Sequence, residues 1–139
     1  MEESTIKSRE IIETEDGTST LRLVHFDEQF HSIHGAMTES MHIYINNGLL
    51  ALPRKEEIRI LEVGFGTGLN ALLTLIHSSG RKVNYHAVEA YPLLAPEIEL
   101  LNYTAHVDSA SRDAFYQMHN ISYDGRYVNE DFYFKKTID

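Results

Sequence analysis

The sequence predicts an α/β fold in which a parallel sheet of about three strands follows an N-terminal β-hairpin and helix. From residue 58 onward, short β-branched runs alternate with helical stretches, a pattern typical of parallel sheets. A glycine-rich segment joins the first of these runs directly to a helix. The stretch from residue 58 to residue 139 holds about three strands at roughly 30 residues per strand–helix–strand unit. We therefore expect two parts, an extension over residues 1–57 and an α/β part over residues 58–139.

Composition is that of an ordinary globular chain of one-domain size. The 139 residues are 42% hydrophobic and 24% charged, which supplies enough apolar material for a core. The formal net charge of −9 disfavours a general nucleic-acid binder, because an acidic field repels phosphates. The absence of cysteine excludes disulfides, thiolate zinc sites and cysteine nucleophiles. No signal peptide is visible and no apolar run approaches the ~20 residues that span a bilayer, so a cytoplasmic protein is expected.

The extension begins with a hairpin pattern. Two runs with strand-like composition, 11–14 and 20–24, flank Asp16-Gly17, which supplies the positive φ angles of a tight turn. A helix is expected from about Ala36, because five apolar residues then recur at helical spacing. This stripe consists of Met37, Met41, Tyr44, Ile45 and Leu49.

The α/β part shows strands, helices and turns in alternation. Gly80 marks the end of the first helix, Pro96 lies near the start of the second, and Asp124-Gly125 is expected to form a turn. Strands are expected at 58–63, 83–88 and 131–135, and helices at 69–79, within 92–103 and around 109–119.

The segment Glu62-Val63-Gly64-Phe65-Gly66-Thr67-Gly68 carries the strongest functional signal. Glycines let the strand turn sharply into the helix and let a ligand approach bare backbone, while the helix N-terminus favours anionic groups. A dinucleotide fold has G-x-G-x-x-G, but Leu69 stands where its third glycine would be. The observed pattern is instead G-x-G-x-G with an acidic residue two positions before it.

Glu89 strengthens this interpretation, because it ends the next strand about 20 residues past the last glycine. A carboxylate there can accept hydrogen bonds from both hydroxyls of a ribose. Tyr91 follows, where a flat side chain could pack against adenine. The alternative is a strand–helix turn that binds no ligand, with an acidic residue at the strand end by chance.

Several phrases resemble one family, the bacterial tRNA wobble-uridine methyltransferases that complete 5-methylaminomethyl-2-thiouridine (the methyltransferase domain of MnmC and its stand-alone form MnmD). The glycine loop itself resembles motif I of class I S-adenosylmethionine-dependent methyltransferases. The resemblance spans roughly residues 11–139, and Gly-Phe-Gly-Thr-Gly-Leu-Asn is its most specific string. The matching phrases lie at 16–21, 30–40, 64–70, 88–93 and 101–103.

The resemblance implies an incomplete Rossmann-like methyltransferase fold and transfer of a methyl group from S-adenosylmethionine to the aminomethyl nitrogen of uridine 34 in tRNA. By motif, Gly35, Glu39 and Ser40 would lie near the mouth of the cofactor site, and Glu39 would pair with the cofactor's amino group. Asp139 would match an acidic residue that contacts the adenine amino group. The remaining cofactor-binding positions implied are Glu62, Gly64, Phe65, Gly66, Thr67, Gly68, Asn70, Glu89 and Tyr91.

One family motif has no match here. The family's fourth strand ends in Asp-Gly/Ala-Phe-Ala-Pro, whose aspartate engages the substrate amine, and no catalytic residue is therefore assigned within these 139 residues. We expect the chain to be the cofactor-binding front part of a larger domain, and methyl transfer by it alone is not expected. The alternative is a non-catalytic nucleotide-binding half-Rossmann module that associates with another chain. A half-sheet that ends at Phe132–Phe134 would leave an unpaired edge and uncovered apolar surface there, which would favour such association, including a homo-oligomer.

Other functional patterns are weaker. The cluster His31, His34, Glu39 and His42 lacks the spacing of a recognised metal motif, so no metal is expected. The G-x-S-x-G elbow of a serine hydrolase is absent. The basic pairs at 54–55 and 135–136 are expected on the solvated surface, with a tRNA-facing role open for the second pair.

Overall fold

The computed structural model describes residues 9–24, 28–31, 34–53, 57–78 and 80–139. It contains a three-stranded antiparallel sheet near the N-terminus and a four-stranded mixed sheet that carries most of the helices. The predicted α/β class, with its parallel strands and its N-terminal hairpin, is confirmed. Residues on both sides of position 57 share one apolar core, so the division there stays a prediction.

The N-terminal sheet is the predicted hairpin with one short strand added. Strands β1 (Arg9–Glu13) and β2 (Ser19–Leu23) pair in antiparallel register, and β3 (Glu28–Gln29) pairs with β2. The Asp16 carboxylate accepts hydrogen bonds from the backbone N–H groups of Thr18 and Thr38, each at 2.9 Å. Burial opposes ionisation of Asp16, but these hydrogen bonds outweigh it and lower its pKa below the ordinary value. The turn is thereby tied to the helix that follows.

That helix is less regular than its apolar spacing predicts. It begins as α1 (Ala36–Ser40), widens into a π-helical segment (Met41–Asn46), and is followed by a short 3₁₀ turn (Leu49–Ala51). The wider turn shifts the later residues around the helix axis. Ile45 is buried, as expected for a member of the apolar stripe, but Tyr44 of the same stripe is 51% exposed.

The main sheet has the order β4-β5-β7-β6. Strands β4 (Glu57–Val63), β5 (Lys82–Glu89) and β7 (Phe132–Ile138) run parallel, so their carboxyl ends meet at one edge. Strand β6 (Gly125–Asn129) pairs antiparallel with β7, so the unpaired edge predicted at 132–134 is wrong, and the described edges of the sheet are β4 and β6. Asp124-Gly125 is thus followed by a strand that the sequence did not predict. The chain reverses direction between β6 and β7 at residues 130–131, where Asn129 Oδ1 accepts a hydrogen bond from the Asp131 N–H.

Helices cover one face of this sheet. They are α2 (Leu69–His77), α3 (Ala95–Leu100), a 3₁₀ turn (Tyr103–His106) and α4 (Ser109–Asn120). Helix α4 begins with Asp108 as its cap, whose carboxylate accepts from the Ser111 N–H at 2.7 Å. The inward side chains of β5 and β7 pack beneath α4, with Tyr85 stacked between Phe132 and Phe134.

The opposite face of the sheet is open along β4. Leu61 and Val63 are 67% and 81% exposed, although parallel strands are commonly covered on both faces. Among the described strands, β4 pairs with β5 alone and forms an edge of the sheet. Within the described residues, no helix has the length and apolarity needed to cross a membrane.

Alternation along β7 corrects one surface prediction. Lys135 is exposed as expected, but Lys136 is 1% exposed because its side chain points with Phe132 and Phe134 toward α4. A tRNA-facing role for the pair is therefore wrong for Lys136. The first basic pair, at 54–55, lies outside the described residues.

Candidate functional site

The glycine loop connects β4 to α2 at the carboxyl edge of the sheet. Gly64, Gly66 and Gly68 have φ angles of 89°, 58° and 82°, in the left-handed region that side chains disfavour. A Cβ on Gly68 would lie 2.9 Å from the Phe65 ring and 3.0 Å from His119 Nε2. The conformation therefore depends on glycine both for its backbone angles and for the space behind the loop.

Three neighbouring elements hold this loop. Glu89 Oε1, at the end of β5, accepts from the Gly66 N–H at 2.6 Å. His119 Nε2, on α4, donates to the Thr67 carbonyl at 2.9 Å. The Tyr103 hydroxyl shares a 3.0 Å hydrogen bond with the Thr67 hydroxyl and donates to the Ser19 carbonyl. The loop is thus fixed by the main sheet, by α4 and, through Tyr103, by the N-terminal hairpin.

Glu62 lies directly before the loop in an unusual electrostatic setting. Its Oε2 accepts from the Asn70 side-chain amide at 3.2 Å, and Tyr85 also hydrogen-bonds to the carboxyl group. Burial, with a smaller contribution from the nearby Glu89 charge, raises the pKa of Glu62 to about 7 against the effect of these hydrogen bonds. Within the described structure, Glu62 Oε1 and Asn70 Oδ1 are buried without a hydrogen-bond partner. These two acceptor atoms are therefore available to a ligand that donates hydrogen bonds.

A cavity of about 670 Å³ opens beside these groups. Its lining combines the glycine loop and the polar side chains around it with apolar residues of β4 and of the segment 49–52. The lining residues are Phe30, His31, Glu39, Tyr44, Leu49, Leu52, Ile60, Leu61, Glu62, Val63, Gly64, Phe65, Gly66, Thr67, Asn70, Thr74, Tyr85 and Glu89.

Eight of the eleven residues predicted to bind the cofactor meet at this cavity; the other three, and the Gly35 and Ser40 predicted near its mouth, do not line it. Gly68 lies behind the loop as the cap of α2. Tyr91 is 47% exposed, and its N–H donates to Glu89 Oε2 at 3.2 Å. The Asp139 N–H donates to the Glu89 carbonyl at 3.0 Å, which extends the parallel pairing by one residue. The residues that do line the cavity are Glu39, Glu62, Gly64, Phe65, Gly66, Thr67, Asn70 and Glu89.

The extension contributes lining residues that sequence reasoning missed. His31 shares a 2.8 Å hydrogen bond with the Thr20 hydroxyl through Nδ1, and burial lowers its pKa while the Glu39 charge opposes the shift. Phe30 packs against the loop so closely that a Cβ on Gly66 would lie 3.0 Å from its ring. Tyr44 reaches the cavity because the π-helical turn redirects it. The aromatic and histidine content of residues 26–35 was the available signal, but it gives no direction in space.

The predicted absence of a metal site stays a prediction. Across the ranges that the structure describes, no group of three or more His, Asp or Glu side chains is arranged to hold a metal ion. The site is instead made of backbone amides, carboxylates and an amide side chain.

Comparison with known proteins gives a consistent picture. No protein-family model matches the chain. It is 34% identical over 84 residues to the tRNA 5-methylaminomethyl-2-thiouridine biosynthesis bifunctional protein MnmC of Idiomarina loihiensis, an overlap that is 53% of this chain and 14% of that protein. It is 39% identical over 77 residues to the protein of the same name from Magnetococcus marinus, an overlap that is 49% of this chain and 11% of that protein.

A solved structure agrees with these sequence matches. The crystal structure of MNMC2 from Aquifex aeolicus superposes with a TM-score of 0.63 at 26% identity. The match covers 94% of this chain and 43% of the Aquifex chain. The chain thus spans a small part of its curated relatives and less than half of this structural neighbour. The resemblance to MnmC proteins that the sequence motifs indicated is confirmed.

Proposed function

We propose that this MnmC-like chain is the S-adenosylmethionine-binding part of a methyltransferase that acts on the aminomethyl group of wobble uridine 34 in tRNA. The observation that carries the proposal is the meeting of Glu62, Glu89 and the glycine loop at one cavity, at the ends of two adjacent parallel strands. The names of the curated relatives, which specify biosynthesis of 5-methylaminomethyl-2-thiouridine in tRNA, support the choice of substrate. The proposal includes a cytoplasmic location.

The residues present fit the cofactor. The unpartnered acceptors Glu62 Oε1 and Asn70 Oδ1 suit the ammonium group of its methionine part. Each carboxylate oxygen has two acceptor positions, so Glu89 retains one on each oxygen for ribose hydroxyls beside its bonds to the N–H groups of Gly66 and Tyr91. Gly64 leaves room for close approach of a ligand to the backbone, because no atom lies within 4 Å of the position that its Cβ would take.

The chemistry assigns different tasks to the residues that line the cavity. S-adenosylmethionine supplies an electrophilic methyl group on a sulfonium. The loop and its carboxylates bind and orient that donor, and orientation is the main protein contribution to such a transfer. His31 and Tyr44, which the extension adds to the cavity lining, are available to border the methyl acceptor.

A non-catalytic binding module is the second candidate. The open edge of β4 and the exposed Leu61 and Val63 favour it, because such a surface suits association with another chain. Both candidates share the cofactor site and differ in whether the chain, together with the remainder of the domain, takes part in methyl transfer.

Calorimetric titration tests the shared site. We expect S-adenosylmethionine to bind and NAD not to bind, because the loop lacks the third glycine of the dinucleotide pattern. Binding of neither ligand would contradict the cofactor assignment, and binding of NAD alone would replace it with a dinucleotide site.

A methyl-transfer assay on undermodified tRNA then separates the enzyme from the module. Transfer of label from S-adenosylmethionine to the aminomethyl nitrogen would establish an enzyme. Because the chain alone is not expected to transfer the methyl group, the assay is repeated with the remainder of the methyltransferase domain supplied, and tight cofactor binding without transfer in that case would favour the module.

The raised pKa of Glu62 predicts that cofactor binding depends on pH. The carboxyl group of Glu62, with a pKa of about 7, is largely protonated at pH 6 and ionised at pH 8. Because the ionised form attracts the ammonium group, we expect the affinity to rise about tenfold between pH 6 and pH 8, with release of a proton on binding. Glu62→Gln should bind more weakly and show a flattened pH profile.

The proton release gives this prediction a separate check. Titrations in buffers of different ionisation enthalpy should report proton release near pH 7 for the original chain and less for Glu62→Gln. Glu89 and Tyr85 also face the carboxyl group. A pH profile that persists unchanged in Glu62→Gln would assign the dependence to another group.

A further inference from the structure

A lysine is buried behind the glycine loop, on the side away from the cavity. Lys136 on β7 is 1% exposed, and its ammonium group donates to the carbonyls of Met118 and His119 at 2.9 and 2.7 Å. These carbonyls belong to the last turn of α4, where the helix dipole favours a cation. The same ammonium group lies 4.9 Å from the centre of the Phe65 ring in the loop. One buried charge therefore contacts both the end of α4 and the loop.

His119 forms the second connection between the same two elements. Its Nε2 hydrogen-bonds to the Thr67 carbonyl, which can only accept, so Nε2 carries the proton. Its ring also meets the Phe65 ring edge to face, with centroids 5.0 Å apart. Burial lowers the pKa of His119 to about 4, with the Lys136 charge contributing, so the ring is neutral at pH 7 and adds no second charge beside the lysine.

We propose that Lys136 and His119 are positioning residues of the ligand site, which together hold the glycine loop in the conformation that lines the cavity. Lys136 fixes the end of α4 and thereby the backbone of His119, and the His119 ring fixes Thr67 and Phe65. Thr67 and Phe65 both line the cavity, so a shift of either changes the ligand surface directly. The part of this proposal that concerns cofactor binding rests on the proposed function.

Packing alone does not require this arrangement. Burying an ammonium group carries a desolvation cost, whereas a methionine of similar length would fill the same space without it. The charge is nevertheless placed where it bonds to two carbonyls and faces the loop's aromatic ring. The specific contacts of Lys136 therefore favour a role in orienting α4 and the loop over simple space filling.

The test pairs each variant with a matched control. Lys136→Met removes the buried charge, and Lys135→Met removes the exposed neighbour on the same strand. His119→Leu removes the donor to Thr67, whereas His119→Gln keeps an N–H at a similar distance from the backbone. Two readouts are recorded below the melting temperature of each variant. They are the amide ¹H–¹⁵N resonances of Gly66, Thr67 and Gly68, and the dissociation constant for S-adenosylmethionine.

We expect Lys136→Met and His119→Leu to shift the loop resonances and to weaken cofactor binding about tenfold or more. Lys135→Met should change neither readout, and His119→Gln should restore affinity to within about threefold of the original chain. Unmoved loop resonances in folded His119→Leu would overturn the proposal, even if its melting temperature falls.

The two readouts also separate this proposal from the function it rests on. If the original chain does not bind S-adenosylmethionine, the proposed function fails, and the loop resonances still decide whether the two residues position the loop. If Lys136→Met does not fold, the two His119 variants still decide it.

Discussion

Gly68→Ala is expected to abolish detectable binding of S-adenosylmethionine. The residue has a φ angle of 82°, which costs an alanine roughly 1–2 kcal/mol. Its Cβ would also meet the Phe65 ring at 2.9 Å and His119 Nε2 at 3.0 Å. Because these two groups also shape and hold the loop, relief of the clash must displace the surface that lines the cavity. We expect a loss of at least a hundredfold in affinity by calorimetry.

Gly80→Ala is the matched control for this substitution. Gly80 has a φ angle of 75°, and no atom lies within 4 Å of the position of its Cβ. The substitution therefore carries the backbone cost without the clash. Gly80 itself lies after α2, away from the residues that line the cavity. We expect it to lower the melting temperature by a few degrees while affinity stays within about twofold. Equal affinities for the two variants would show that the space behind Gly68 does not matter for binding.

The sequence predicted the carboxyl edge of the sheet well because local rules act there. A β-branched run followed by three glycines and a helix has few alternative conformations, and parallel pairing then brings Glu62 and Glu89 to the same edge. Gly17 likewise has the positive φ angle, 86°, that the turn prediction requires, although the predicted positive φ angle of Asp16 is wrong. These features depend on residues close together in the chain.

The features that sequence reasoning missed depend on distant contacts or on small local deviations. Strand β6 has one buried side chain, Val128, and the turn at Asn129 lacks the Asn-Gly or Asp-Gly signal of a hairpin. The sequence therefore carries little hydrophobic or turn pattern that would predict the pairing of β6 with β7. A single π-helical segment redirects Tyr44, against an apolar stripe that predicts a regular helix. Lys136 is buried because the end of α4 supplies carbonyl acceptors 17 and 18 residues away in sequence. Periodicity alone does not reveal such a partner.

Glu89→Ala is expected to weaken cofactor binding by 1.5–3 kcal/mol, roughly ten- to hundredfold, which is the usual effect of losing hydrogen bonds to a charged group. The carboxylate serves two purposes at once. It accepts from the Gly66 N–H at 2.6 Å within the loop, and it offers its remaining acceptor positions to ribose hydroxyls in the proposed function. Glu130→Ala, in the exposed turn between β6 and β7, removes the same charge away from the cavity and should leave affinity unchanged.

Glu89→Gln separates these two purposes. Its side-chain oxygen can still accept from the Gly66 N–H, so the loop should keep its conformation, whereas the charge and one acceptor oxygen are lost to the ribose. If the ribose contact dominates, glutamine and alanine should weaken binding by similar factors while only alanine shifts the Gly66 amide resonance. If support of the loop dominates, glutamine should restore most of the affinity. Unchanged affinity in both variants would remove Glu89 from the site and with it the main support for a ribose-bearing ligand, because Glu89 is the residue that is predicted to hold the ribose.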